Sequence, residues 1–319
     1  MIRTHLAVLA MALLLVSACD RAPQPIAATI VATPSPTPTA TPSPTPTPTP
    51  TFTPTPTSTP AGWETIGDGV QIRSMTGSQG TRSGHVYALR LDPARVDVRL
   101  RFDPQQPRHI AEWLDVEKSL PLSPGALRPI AVMNAGFFDR RNQPVGLWVI
   151  DDVTYGSGHR LMQGEFRVSG AGLSIRRVSE RYLTDGTRIL ASIESYPFLI
   201  LPRHVLNPCL QMIYRIERSY RPCSRSREPA ERLVVGIDGA GYLMFVLMPS
   251  AVFTLDGLGN WLFHSDLNLD SALNLDGGSS AGMLVQAGDQ IWGADSGREV
   301  PGAILILPKV LGVQSGDSQ

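Results

Sequence analysis

The sequence predicts an α+β domain, a mixed or antiparallel β-sheet core carrying a few helices. Three observations carry this prediction. Residues 95–102 alternate strictly, with Val96, Val98, Leu100 and Phe102 on one face, the period of two expected of a strand with one buried side. Two apolar runs, 232–237 and 242–248, flank Asp238-Gly239-Ala240-Gly241, a hairpin signal. Helical spacing is confined to two short stretches, one through Ile110, Trp113, Leu114 and Glu117 and one through Leu255, Leu258, Trp261 and Leu262. Many strands with few helices place the chain in the sheet-dominated classes.

The chain has 319 residues, 42% of them hydrophobic, and a formal net charge of +0. A neutral balance implies no nucleic-acid partner and no strongly acidic one. At the N-terminus Arg3 and His5 precede an apolar run at 6–16. That run is about 11 residues long, and a bilayer span needs about 20. It ends in Val16-Ser17-Ala18-Cys19, which resembles a bacterial lipoprotein signal. The resemblance implies a signal at 1–18 that is removed before Cys19, with Cys19 carrying lipid and the mature protein held outside the cytoplasm at a membrane. Residues 19–61 are dominated by Thr, Pro, Ser and Ala. They hold too little apolar surface to pack, and Pro removes backbone donors. Such a linker is an extended spacer of about 3.1 Å per residue, reaching on the order of 100 Å.

Ordinary composition returns at Trp63, and residues 62–313 are read as one domain followed by a short tail at 314–319. About 250 residues suffice for a single sizeable core. Within it, 85–91 is expected to pair with 95–102 across a turn at Asp92-Pro93. A short helix at 110–117 precedes Pro121. Residues 130–133 and 145–150 read as strands, and 303–307 as a closing strand. His109, His159, His204 and His264 show no metal-ligand spacing. Cys209 and Cys223 bracket an arginine-rich stretch with thirteen residues between them. In an oxidising compartment they are expected to form a disulfide worth about 3 kcal/mol.

Polar groups concentrate at three places. In Ala272-Leu273-Asn274-Leu275-Asp276-Gly277-Gly278-Ser279-Ser280-Ala281-Gly282, a strand-like run stops at a carboxylate. The paired glycines let backbone approach a ligand closely. Asn274, Asp276, Ser279 and Ser280 add donors and acceptors. The other reading of Asp276 is a turn-capping residue with the glycines at positive φ. Asn134-Ala135-Gly136-Phe137-Phe138-Asp139 leaves the strand 130–133 in the same way. It is either the edge of a binding site or a tight turn with packed aromatics. Arg232 opens the hairpin, and a guanidinium can grip a phosphate through two parallel hydrogen bonds. Asp238, at the hairpin turn, is either a turn residue or a second carboxylate of the site.

These three segments resemble, in order and spacing, the phosphodiester glycosidase family, which has many bacterial exopolysaccharide-related members; the likeness runs from about residue 63 to about residue 307. Ser195-Tyr196-Pro197-Phe198-Leu199 is similar to a family segment that usually reads Ser-Gly-Pro, so Tyr196 stands where Gly is usual. The resemblance implies a hydrolase of sugar-1-phosphodiesters in a glycan or envelope polymer. Asp276 would be its first catalytic carboxylate and Asp238 its second. Arg232 and the amides of Gly277, Gly278 and Ser279 would neutralise the phosphate. Asn134, Gly136, Ser195, Asn274 and Ser280 would line the substrate. This reading fixes no cofactor; Asp276 and Asn274 offer oxygen ligands to a divalent cation, without a full ligand set in view. The alternative class is a non-catalytic carbohydrate-binding protein on the same fold.

Overall fold

The computed structural model describes residues 62–119, 128–180, 186–211 and 228–309. The segments 1–61 and 310–319 lie outside the described residues, and so do Cys19 and the Cys209–Cys223 pairing. The described residues belong to one compact unit.

The chain is predominantly β. Among the described residues, α-helix is confined to α1 (Ile110–Ser119), the single turn α2 (Pro208–Gln211) and α3 (Leu255–His264). The α+β expectation therefore gives the helices too large a share. The strands form three sheets, and every ladder among them is antiparallel.

The first sheet has eight strands. From one edge these are β1 (Glu64–Gly67), β2 (Val70–Gln79), β3 (Arg82–Leu91), β14 (Leu243–Phe253), β13 (Ala230–Asp238), β15 (Leu269–Asn274), β11 (Phe198–Leu201) and β12 (Val205–Leu206). The second has five: β7 (Val153–Ser157), β6 (Gly146–Ile150), β10 (Ile189–Ser195), β8 (Gly164–Ser169) and β9 (Gly172–Arg177). The third also has five: β17 (Gln290–Ala294), β16 (Met283–Ala287), β5 (Ala131–Asn134), β18 (Gly302–Pro308) and β4 (Val96–Phe102).

Alternation along these strands builds a layered core. Leu89, Leu233, Phe245 and Leu273 of the first sheet meet Phe166 and Ile193 of the second and Met133, Met283 and Ile304 of the third in one central cluster. On the other face of the first sheet, Ala88, Val234, Val246 and Ala272 are covered by Leu255, Leu258 and Leu262 of α3. On the other face of the third, Val132, Leu284 and Leu305 are covered by Ile110, Trp113 and Leu114 of α1. Each helix thus seals a face that would otherwise expose apolar surface.

The alternation at 95–102 and the hairpin about residues 238–241 match β4 and the β13–β14 pair. The pairing of 85–91 with 95–102 does not occur. β3 lies in the first sheet and β4 in the third, so the turn at Asp92-Pro93 carries the chain between sheets. Local spacing reports a strand's faces but not which strand adjoins it.

Candidate active site

Asp276 lies on a crossover. The chain leaves the first sheet at the end of β15, turns through a 3-10 segment at Gly278–Ser280, and enters the third sheet at β16. Two further strand ends meet it. β5 ends at Asn134, and β10 ends at Ser195 before the chain passes through Tyr196-Pro197 into β11. Arg232 arrives by antiparallel register: Val234 pairs with Asn274, so the start of β13 lies beside the end of β15.

Three buried polar side chains lace these ends together. Asn134 Nδ2 donates to the Asp276 carbonyl at 2.9 Å, and its Oδ1 accepts from the Gly282 amide at 3.0 Å. Asn274 Nδ2 donates to the carbonyls of Tyr196 and Leu275 at 2.9 and 2.7 Å. Ser195 Oγ donates to the Asn274 carbonyl at 2.6 Å. Buried backbone groups must find partners, and here they are supplied across sheets. Asn134, Asn274 and Ser195, expected to line the substrate, thus hold the Asp276 loop. The exception is Asn274 Oδ1, which is buried and has no partner among the described residues.

Glycine is required at both sides of this junction by close approach. A Cβ on Gly136 would stand 2.6 Å from Ile193 and 2.9 Å from the Trp148 indole nitrogen. One on Gly277 would stand 2.8 Å from the Glu231 carbonyl, so this glycine admits β13 rather than a ligand. Its amide is also taken, donating to Asp276 Oδ1 at 2.9 Å. Gly278 holds φ +61°, a left-handed conformation that other residues adopt at a cost. Of the expected phosphate-binding amides, Gly277 is thus engaged within the loop, while Gly278 and Ser279 lie at its outer turn, with Ser279 exposed.

The electrostatics single out Asp276. Burial of its carboxyl pushes the pKa up to about 6, against the Ser280 hydroxyl, the Gly277 amide and the charge of Arg298, each of which favours the carboxylate. Burial pushes the Tyr196 phenol up, and the negative charge of Asp276 adds to this, while Arg232 acts in the opposite sense. Burial lowers the Arg232 guanidinium, opposed by Glu231 and Tyr196. Among the described residues the Arg232 guanidinium makes one long hydrogen bond, 3.3 Å to the Glu228 carbonyl, and its Nε is buried without a hydrogen-bond partner. A buried cation with unfilled hydrogen-bonding capacity is costly, and such a group is suited to receive an anion.

Aromatic rings border this charge cluster. Phe137 and Tyr196 lie 4.8 Å apart between centroids, and Arg298 covers the Phe138 ring at 4.9 Å. Arg298 was not anticipated from sequence. It sits in a short polar stretch between β17 and β18 that carries no periodicity, and only the tertiary fold brings it to Asp276.

Asp238 is not brought to this cluster. It lies at the far end of β13 from Arg232, a rise of about 3.3 Å per residue away along the strand. There its carboxylate meets Arg90 Nε at 2.7 Å and accepts from the Ala240 and Tyr242 amides. Its place is the hairpin turn. Asp139 likewise closes its own turn, accepting from the amides of Arg141 and Gln143. Among the described residues no three His, Cys, Asp or Glu side chains cluster at metal-binding distances; of the two expected oxygen ligands, Asn274 offers a buried Oδ1 without a partner among the described residues.

The chain resembles two solved structures at low identity. The catalytic domain of zebrafish N-acetylglucosamine-1-phosphodiester alpha-N-acetylglucosaminidase, auto-inhibited by its pro-peptide, superposes with a TM-score of 0.58 at 17% identity, covering 76% of this chain and 85% of that one. A hypothetical protein from Synechocystis superposes with a TM-score of 0.50 at 15% identity, covering 76% and 62%. These likenesses establish a shared fold. No curated protein matches the chain. The family model described as phosphodiester glycosidase matches residues 128–307, a span that holds all three polar segments and more than half of the sequence. The chain belongs to the phosphodiester glycosidase family.

Proposed function

We propose that the protein hydrolyses glycosyl phosphodiesters, the sugar-1-phosphate diester bonds of a glycan or envelope polymer. The observation that carries this is the placement of one carboxyl, Asp276, on the crossover between two sheets with the Arg232 guanidinium beside its loop; burial pushes that carboxyl up to about 6, and the charge of Arg298 opposes the shift. A general acid or base works best when its pKa lies near the working pH. The two guanidiniums would neutralise the diester phosphate. Water adds across the sugar–phosphate bond, leaving a phosphate monoester and a free anomeric hydroxyl. Ionised Asp276 takes the proton of the attacking water, and the protonated form returns one to the departing oxygen.

The test is turnover of a chromogenic sugar phosphodiester by the purified chain lacking residues 1–18. The expected kcat/KM rises with pH through a limb near 6, and Asp276→Asn lowers it by roughly 10²–10⁴-fold. Full activity in that variant would sink the assignment.

A second reading is a non-catalytic glycan-binding protein, and the Phe137–Tyr196 pair favours it. Their rings lie 4.8 Å apart beside the charge cluster and offer a face on which a sugar can stack. Binding without turnover, unchanged in Asp276→Asn, would support it.

The protein is further proposed to act outside the cytoplasm, anchored by lipid on Cys19 and spaced from the membrane by the linker to residue 61. Labelled palmitate should enter the wild-type protein in a bacterial host and be absent from Cys19→Ala.

A further inference from the structure

A cleft lies on α3, lined by none of the residues of the Asp276 loop. It has a volume of about 700 Å³ and runs between the tip of the β2–β3 hairpin, the outward side of α3, and β12 with α2. α3 covers the face of the first sheet opposite the central core. None of the cleft's lining residues takes part in the bonds that lace the Asp276 loop.

The lining is chemically mixed. Leu206, Leu210 and Trp261 supply apolar surface. The Trp261 ring is partly buried and leans on Phe253 at 5.3 Å between centroids. Asn260 and Asp256 stand along the same side of α3, and their side chains make no hydrogen bond or ion pair among the described residues. Gln79 is committed elsewhere. It bonds Thr254, the N-cap of α3, and fixes the hairpin tip against the helix. Its position also explains Gly257, where a Cβ would stand 2.1 Å from the Gln79 amide. The hairpin wall of the cleft is therefore tied to the helix, and among the described residues Asn260 and Asp256 are not committed to it.

A pocket for a hydrophobic ligand is lined mostly by apolar groups with few polar ones. This one instead pairs an indole with a planar amide and a carboxylate that are unpaired among the described residues. That is the chemistry that meets a sugar: hydroxyls toward the amide and carboxylate, the apolar C–H face toward the ring. The sign of the charge narrows the class. The carboxylate of Asp256 lines the cleft, and its one basic side chain is His264, with no Arg or Lys, so a phosphate group is disfavoured there.

We propose that this cleft binds an uncharged oligosaccharide stretch of the polymer whose phosphodiester enters at Asp276. The inference rests on the glycosyl phosphodiester reading for the identity of the polymer, but not for the binding itself.

The experiment is affinity electrophoresis of the mature chain in gels containing glycogen, mannan or glycol chitin, together with turnover of the small chromogenic phosphodiester. The wild-type chain should be retarded by at least one of these polymers. Asn260→Ala and Trp261→Ala should weaken the retardation roughly tenfold or more without changing kcat/KM on the small substrate. Asn260 is exposed, so its variant tests the cleft even where Trp261→Ala perturbs the fold. Two results overturn the proposal: no retardation in any of the three gels, or equal retardation of the wild type and Asn260→Ala. Absent turnover with retardation that Asn260→Ala weakens would refute the hydrolase reading and leave the cleft standing.

Discussion

At the scale of the residue, Asp276 couples chemistry to stability. Its carboxyl titrates at about 6 in the folded protein, against 3.8 for an unperturbed Asp. The folded state therefore holds the proton more tightly than the unfolded chain, and stability falls as pH rises through roughly 4 to 6. Above that window the full cost is present, on the order of 2–3 kcal/mol for a shift of this size. Asp276→Asn keeps an acceptor for the Gly277 amide and the Ser280 hydroxyl but carries no charge. It should melt at a higher temperature than the wild type at pH 8 and at nearly the same temperature at pH 4, while losing turnover. Thermal denaturation at the two pH values checks this, and a variant no more stable at pH 8 would refute it. Arg298 gives a second test with a definite sign. Its charge favours the Asp276 carboxylate, so Arg298→Ala should move the limb of the pH–kcat/KM profile to higher pH. A limb that stays in place would show that Arg298 does not act on Asp276.

At the scale of the element, the β13–β14 hairpin separates structural from chemical carboxylates. From sequence, Asp238 and Asp276 look alike: each ends an apolar strand and precedes glycine. The fold tells them apart because the two ends of β13 face different surroundings. Arg232 opens toward the Asp276 loop, while Asp238 closes the turn against Arg90, whose guanidinium also lies 3.6 Å from the Tyr242 ring centroid. Removing one partner of a buried pair leaves the other charge uncompensated. Asp238→Ala should cost about 3–5 kcal/mol in a denaturant titration, with kcat per folded molecule unchanged. A selective loss of kcat at unchanged stability would return Asp238 to the chemistry. Strand faces were legible here because alternation is local. The partner of β3 was not, because sheet order depends on the whole topology, and Arg90 could not be assigned to Asp238 from 148 residues away.

At the scale of the whole molecule, the site is the place where three sheets are joined. The three polar segments were visible in sequence as apolar strands ending in polar residues. The sequence did not show that their side chains are spent largely on one another's backbone. Asn134 ties the third sheet to the loop, and Asn274, with Ser195, ties the first sheet to the second. Phe137 and Tyr196 were each marked in the sequence, but their pairing, like Arg298, came into view only once these ends converged. This joinery predicts a coupling. Asn134→Ala strands the buried Gly282 amide, and Asn274→Ala strands the Tyr196 carbonyl; each should cost about 1–3 kcal/mol. If both hold the same loop, the first substitution already loosens what the second would release. The double variant should then lose less than the sum of the two, by at least about 0.5 kcal/mol, whereas independent sites would add within about 0.3–0.5. Turnover should follow the same pattern, each single variant lowering kcat by misplacing Asp276 and the double variant adding little. Strict additivity in the denaturant midpoints would mean that the strand ends melt separately and that Asp276 is held by its own turn alone.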